Sequence, residues 1–427
     1  MSRQPQREVS IGRGMAGSRN IVACLLIALF ASSTMAAPVV ADVEWDRDGW
    51  LTTALADERI GLGDEFGCYG VPGYSWYNDP GAVAKECRSY IDNNTIASKW
   101  GDDALSTYVP SGLTMAQHNY IASQDFVVHG DNTGLEYTAW HNATDDPNED
   151  IDWYNLGRRG GSLEKGIGSL ETVQGAIEEG GLVNLYWIGR VNDATIRHDR
   201  DIANYLQNDA QAWMTTWGQA WSYWATRTHC NEHSETFDQG QTTIIFSSMI
   251  TEQCATSTQN AWDVPITWRI SFDNATVVDV QNQFGESMEN LTAVRQTGAG
   301  WRMDGSELLV SVTKGMNVTI VLEGQNISAD VHNQTQFWNG YNAAVTIAAH
   351  DTTDLFKWSK RFTDEDQLRF TWLVSPRPLE GRLPWLPYAA LVAGVVTIVA
   401  MMGVLGREGI GPLAGVMNKK NSLLEEE

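Results

Sequence analysis

Asn317-Val318-Thr319-Ile320-Val321-Leu322-Glu323 alternates apolar and polar side chains at every step. Val318, Ile320 and Leu322 point one way and Asn317 and Thr319 the other, the period of a half-buried strand. The same short, β-branched character recurs at Thr242–Met249, Ile266–Phe272, Thr276–Val280, Glu307–Thr313, Ala344–Ala348 and Leu368–Val374. Seven such runs with turns between them predict a β-sandwich domain over 236–375. Lys314-Gly315, lying between two of the runs, predicts a tight hairpin there.

Upstream, residues 42–235 are mixed. Turn-rich stretches such as Gly67-Cys68-Tyr69-Gly70-Val71-Pro72-Gly73 alternate with apolar runs at Phe126–Val128 and Leu182–Ile188. From Asp199 to Thr226, Ile202, Leu206, Ala210, Trp213, Trp217, Trp221 and Trp224 recur at three- and four-residue steps. That spacing predicts one amphipathic helix whose tryptophan stripe packs on its own core. A subunit interface of a homo-oligomer, or a membrane-active face, is the sharper alternative. The fold class expected is α+β and β-rich: a mixed N-terminal domain over 42–235, then the sandwich.

The two ends predict topology. Arg3, Arg7, Arg13 and Arg19 precede the apolar run Ile21–Phe30 and then small residues, so residues 1–41 read as a secretory signal. Leu386–Leu405 is free of charge for 20 residues, enough for a helix to cross roughly 30 Å of hydrocarbon. Pro376, Pro378, Pro384 and Pro387 form a stiff neck over 376–385, and 406–427 would be a short internal tail. The expected arrangement is single-pass, with the ectodomain outside.

Two features fit that location. Asn-X-Ser/Thr occurs at Asn93, Asn142, Asn274, Asn290, Asn317, Asn326 and Asn333, so N-glycans are expected on an exported chain. Once the signal is removed, Cys68, Cys87, Cys230 and Cys254 remain. An even number in an oxidising compartment predicts two disulfides, and the pairing preferred is Cys68–Cys87 with Cys230–Cys254. Each would close a loop of about 20 residues, worth roughly 3 kcal/mol.

Charge narrows the class. Lys+Arg 29 against Asp+Glu 53 leaves a net −24, and only eight of the cations are Lys. So acidic a chain lacks the basic face of a nucleic-acid binder. At 43% apolar and 10% aromatic it is no disordered tail either. An acidic, Lys-poor surface stays soluble where salt screens repulsion over about 3 Å, as at 1 M, and reads as halophilic.

Chemistry is sparsely marked. His229-Cys230-Asn231-Glu232-His233 matches H-x-x-E-H, which on a helix would place two ligands for zinc on one face, but Cys230 belongs to a predicted disulfide. Asp146, Asn148, Asp150 and Asp152 alternate as in a calcium loop, without the Gly and distal Glu of an EF-hand. They are candidates for calcium or another cation; a solvated acidic loop is the plainer reading. No nucleophile elbow or P-loop appears, and the chain is not expected to be an enzyme. Tyr69, Tyr74, Trp76 and Tyr77 crowd an almost uncharged loop beside Cys68. Held rigid by a disulfide, such a loop is a candidate for insertion into a lipid bilayer; an aromatic minicore is the alternative.

A signal, an acidic ectodomain with sequons, one C-terminal anchor and a tail with Asn418-Lys419-Lys420-Asn421 resemble the spike glycoproteins of haloarchaeal pleomorphic viruses, the pleolipoviruses. The likeness is one of layout over the whole chain. It implies an envelope spike that attaches to a host cell-surface receptor and drives membrane fusion, found in the virion envelope and host membrane. It also implies a two-domain, β-rich ectodomain on a stalk, although no heptad precedes the anchor here. A cellular haloarchaeal surface glycoprotein, an adhesin or envelope-layer component, shares every one of these features.

Overall fold

A strand from the far end of the chain pairs with one near its beginning. In a computed structural model, the residues described are 45–46, 56–130, 154–155, 169–189, 200–238, 242–351, 366–375, 377–378, 388 and 391–397. Helix α1 (Ala56–Leu62) leads into β2 (Glu65–Cys68), after the short β1 (Trp45–Asp46). There follow α2 (Pro80–Asn94), β3 (Ser106–Tyr108), α3 (Met115–Ala122), β4 (Val128–Gly130) and β5 (Tyr154–Asn155). Next come α4 (Leu170–Glu179), β6 (Gly181–Gly189), α5 (Arg200–Asn208), β7 (Trp213–Thr215) and α6 (Trp217–His229).

Six strands, β8 (His233–Phe237), β9 (Thr243–Ser248), β10 (Ile266–Asn282), β11 (Gly300–Asp304), β12 (Glu307–Val312) and β13 (Asn317–Val331), then form an antiparallel sheet in the order β11-β12-β10-β13-β9-β8. The small helix α7 (Glu252–Ser257) sits between β9 and β10. Strands β14 (Ala343–Asp351) and β15 (Phe370–Val374) return to the first layer, and β16 (Arg377–Pro378) pairs with β1. The first layer is an eight-stranded sheet in the order β5-β4-β3-β2-β15-β14-β6, with β7 also on β14, and each of its pairings is parallel.

The sequence accounts for this locally. Alternating β and α segments favour a parallel sheet, since parallel neighbours need a crossover. Helix starts carry side-chain caps: Asp79 accepts from Ala82 N ahead of Pro80, Thr114 and Gln117 make a capping box, and Thr216 accepts from Gln219 N. Trp213, Trp217 and Trp372 are fully buried in this layer. Each removes roughly 200 Å² of ring surface from water, on the order of 5 kcal/mol of transfer free energy. The antiparallel sheet is docked through the same region: Tyr223 Oη donates to Thr335 O, and Trp213 Nε1 to Thr297 Oγ1.

The strand expectations survive, and the architecture changes. The alternation at 317–323 is present, with Val318, Ile320 and Leu322 buried and Asn317 exposed. Ile266–Phe272 and Thr276–Val280 join into one strand, β10, which pairs with both β12 and β13. Lys314-Gly315 therefore makes a turn but no hairpin, because β10 lies between the strands it connects. The β-sandwich over 236–375 is corrected to a single antiparallel sheet, since β14 and β15 belong to the parallel one. A boundary at 235/236 consequently does not follow the sheets. The helix predicted over 199–226 is two helices, α5 and α6, with β7 between them. β7 uses its backbone to pair with β14 at Ala344–Thr346, and Thr216 opens a new helix. Their shared 3.6-residue period comes from one buried layer sampled by three elements. The tryptophans of the stripe, Trp213, Trp217, Trp221 and Trp224, are core.

Both predicted disulfides are present, Cys68–Cys87 and Cys230–Cys254. The signal at 1–41, most of the neck, the tail and the acidic loop with Asp146, Asn148, Asp150 and Asp152 lie outside the described residues. Of the apolar run 386–405, residues 391–397 are helical and leave Leu391, Val392, Val395 and Val396 exposed. Among the described residues no helix is long and apolar enough to cross a membrane.

Candidate functional site at the carboxyl edge of the parallel sheet

In open parallel sheets, ligands bind beyond the carboxyl ends of the strands, where the backbone diverges into loops. Here one face of the sheet carries two storeys along its strands, a polar one towards the strand starts and an aromatic one at their carboxyl ends. The lower storey is polar. Glu65, at the start of β2, accepts from Ser106 Oγ of β3 at 2.9 Å and from Thr371 Oγ1 of β15 at 2.8 Å. Helix α6 enters this face with its first turn. Gly218 N donates to both Glu65 carboxylate oxygens, at 3.0 and 2.9 Å, and Trp217 N donates to Thr371 Oγ1. Trp217 Nε1 donates to Asn184 Oδ1 of β6, which also accepts from Thr346 Oγ1 of β14. An anion at a helix N-terminus is favourable, yet the Glu65 carboxyl is fully buried. Burial pushes the Glu65 carboxyl up from 4.5 to about 7, against the hydrogen bonds from Thr371, Gly218 and Ser106 that favour its charged form.

The upper storey is aromatic. Tyr69, which follows β2, stacks on His350 near the end of β14 with ring centres 3.4 Å apart, and on Tyr108 at the end of β3 at 4.9 Å. Tyr186 of β6 meets Tyr108 edge-on at 6.3 Å and Trp217 at 5.7 Å. His350 Nδ1 donates to Leu373 O at 2.9 Å, which fixes the orientation of the ring. The two storeys touch where β4 ends. A Cβ on Gly130 would lie 1.9 Å from Trp217 Cη2 and 2.5 Å from Tyr186 Oη. Only the absence of a side chain there lets the strand lie against both rings.

Behind this face, His129 of β4 is fully buried. Its Nε2 is 2.7 Å from Phe126 O and so carries the proton, which makes its Nδ1 the acceptor for His118 Nδ1, 2.8 Å away. Burial and the neighbouring His118 hold the His129 pKa down at about 3.

Of the aromatic candidates, the structure brings only Tyr69 into this site. Trp76 is partly buried and donates from Nε1 to Tyr69 O, fixing the root of the loop. Tyr74 and Tyr77 face outward, 42% and 56% exposed, on a turn that Gly73 takes at φ 86°. Tyr77 Oη donates to Ser111 O. The H-x-x-E-H residues are separated: His229 ends α6, Cys230 is in its disulfide, and His233 begins β8. Among the described residues no group of three or more His, Cys, Asp or Glu could hold a metal. The sequons at Asn93, Asn274, Asn290, Asn317, Asn326 and Asn333 are exposed, and Asn142 lies outside the described residues.

Glu65, Tyr108, Tyr186 and His350 were not singled out from the sequence, and Trp217 only as part of the tryptophan stripe. The available signal was polar residues inside strand-like runs: Asp64-Glu65 before Phe66, and Asn184 within Leu182–Ile188. No family model, curated protein or solved structure matches this chain.

Proposed function

We propose that the chain is an exported surface-attachment protein of a halophilic system, a virion spike or a cellular adhesin, and that its receptor ligand seats at the carboxyl edge of the parallel sheet. The observation that carries this is the stack Tyr108–Tyr69–His350 above a fixed polar layer. Flat rings held by a strand end, a disulfide-bonded loop and a main-chain hydrogen bond are a preorganised platform for a ligand with a flat or ring-shaped apolar face. The experiment is binding of the purified ectodomain to envelope fragments of halophilic cells in molar salt. Tyr69→Ser and Tyr108→Ser are expected to weaken binding about tenfold, or ~1.4 kcal/mol, with unchanged circular dichroism. Parent-like binding by both folded variants would overturn the assignment.

A second reading, membrane insertion during fusion, is favoured by the exposure of Tyr74 and Tyr77 on the same loop. Aromatic rings partition to the lipid interface, and a tip tied by Cys68–Cys87 and by Trp76 would enter without losing much loop entropy. Flotation with liposomes distinguishes the two readings. Tyr74→Ser with Tyr77→Ser should abolish it and leave receptor binding intact.

A further inference from the structure

Two grooves run into one another on the flank formed by α2, α3 and α6. The first, about 420 Å³, is lined by the charged Lys85, Arg88, Asp92 and Asp125 and by Ser89, Asn93, Ser123 and Gln124. The second, about 520 Å³, continues from Ser123 and Asp125 towards the indoles of Trp221 and Trp224. Its remaining walls are the amides and hydroxyls of Asn119, Thr256, Ser257, Gln259 and Asn260 together with the apolar Ala122, Val127 and Ala225. In a chain with 53 carboxylates this second groove has one, Asp125, and one imidazole, His229. Neutral donor–acceptor groups around indole edges suit a neutral, hydroxyl-rich ligand that also has apolar C–H faces. That is the chemistry of a sugar chain.

The source of such a chain is within reach. Asn93 is an exposed sequon asparagine in the last turn of α2, with Thr95 in extended backbone beyond it. It makes one long hydrogen bond, 3.4 Å from Nδ2 to Ser89 Oγ. Other sequon asparagines have local structural roles. Asn274 and Asn326 take left-handed backbone at φ 57° and 54°, which Asn tolerates well, and Asn290 Oδ1 accepts from Thr292 N. Asn93 instead lines the first groove directly.

The geometry points to an N-glycan on Asn93 that lies along the first groove and seats its outer sugars in the Trp221–Trp224 groove, so that the chain carries its own ligand for this flank. In the modification, Asn93 Nδ2 forms a bond to the anomeric carbon of a phosphate-activated oligosaccharide. The C–O bond to phosphate breaks with its electron pair on the phosphate, and one amide proton is lost. The inference rests on the exported reading, since the transfer takes place outside the cytoplasm.

The test is expression in a host that N-glycosylates exported proteins, followed by peptide mass spectrometry and amide hydrogen exchange at 119–125 and 254–260. The parent and Asn290→Gln should carry sugar on Asn93 and exchange about tenfold more slowly there than Asn93→Gln and Thr95→Ala, which abolish one sequon through different atoms. Equal exchange in all four proteins, or a bare Asn93 beside occupied sequons elsewhere, would overturn the inference alone. Protection of Asn93→Gln to the parent's level by added maltoheptaose, with no difference among glycosylated proteins, would overturn it in favour of a separate sugar chain. Absence of sugar at every sequon would instead defeat the exported reading itself.

Discussion

Glu65 and Gly218 are joined by two hydrogen bonds from a single backbone N–H, 3.0 and 2.9 Å to the two carboxylate oxygens, across 153 positions of sequence. Helix α6 is thereby fixed to β2 by a group that burial would rather keep neutral. A Cβ on Gly218 would stand 2.4 Å from Glu65 Oε2, so the contact also dictates the residue.

Stability should therefore fall as pH rises towards neutrality. The Glu65 carboxyl takes its proton near pH 7 in the folded chain and near 4.5 in the unfolded one. Between those values the folded state binds more protons, so its advantage is complete below 4.5 and lost by about 7. The difference of 2.5 units corresponds to roughly 3 kcal/mol. Glu65→Gln, neutral throughout, should lack this decline. Urea unfolding of both proteins from pH 4 to 9 checks it; a parent–variant difference independent of pH would refute it.

The buried histidine pair has the opposite sign. His129 binds its proton at about 3 when folded and near 6.5 when unfolded, so the unfolded state holds more protons between them. Stability is lost as pH falls from 6.5 to 3, with a slope of up to about 1.4 kcal/mol per unit. The His129 ring resonances should show no titration step between pH 5 and 8, whereas an inflection near 6.5 would contradict its burial as the neutral form.

Gly130→Ala and Gly175→Ala should move stability in opposite directions. At Gly130 a methyl meets Trp217 and Tyr186, and overpacking of a rigid core costs about 1–3 kcal/mol. On α4, nothing stands within 4 Å of a Cβ at Gly175, and helix propensity favours Ala by about 0.5–1 kcal/mol. Thermal melts of the two variants check both signs, and a Gly130→Ala protein as stable as the parent would mean the rings can retreat.

How far the sequence reveals this molecule depends on the range of the interactions. Asn317–Glu323 and Glu307–Thr313 were legible because alternation is written within one strand, and Cys68–Cys87 because its partners are near in sequence. Parallel pairing of Ile347 with Phe370 and of Thr371 with Glu65 leaves no local mark, so β14 and β15 were assigned to the wrong sheet. The 199–226 segment misled because a buried strand between two buried helices keeps a helical spacing of tryptophans. The aromatic storey of the site combines side chains from β3, β6 and β14 with the loop after β2, and only Tyr69 among them lay in a conspicuous motif.

The pairing of β2 with β15 also fixes an order of events. Glu65 waits for Thr371, and Cys68 for Val374, more than 300 residues later on the ribosome. The centre of the parallel sheet therefore closes last, after the whole antiparallel insertion has emerged. A chain exported as it is made would cross its membrane with β2 unsatisfied on one side, and a truncation anywhere before Val374 would leave that edge open to pairing with another molecule.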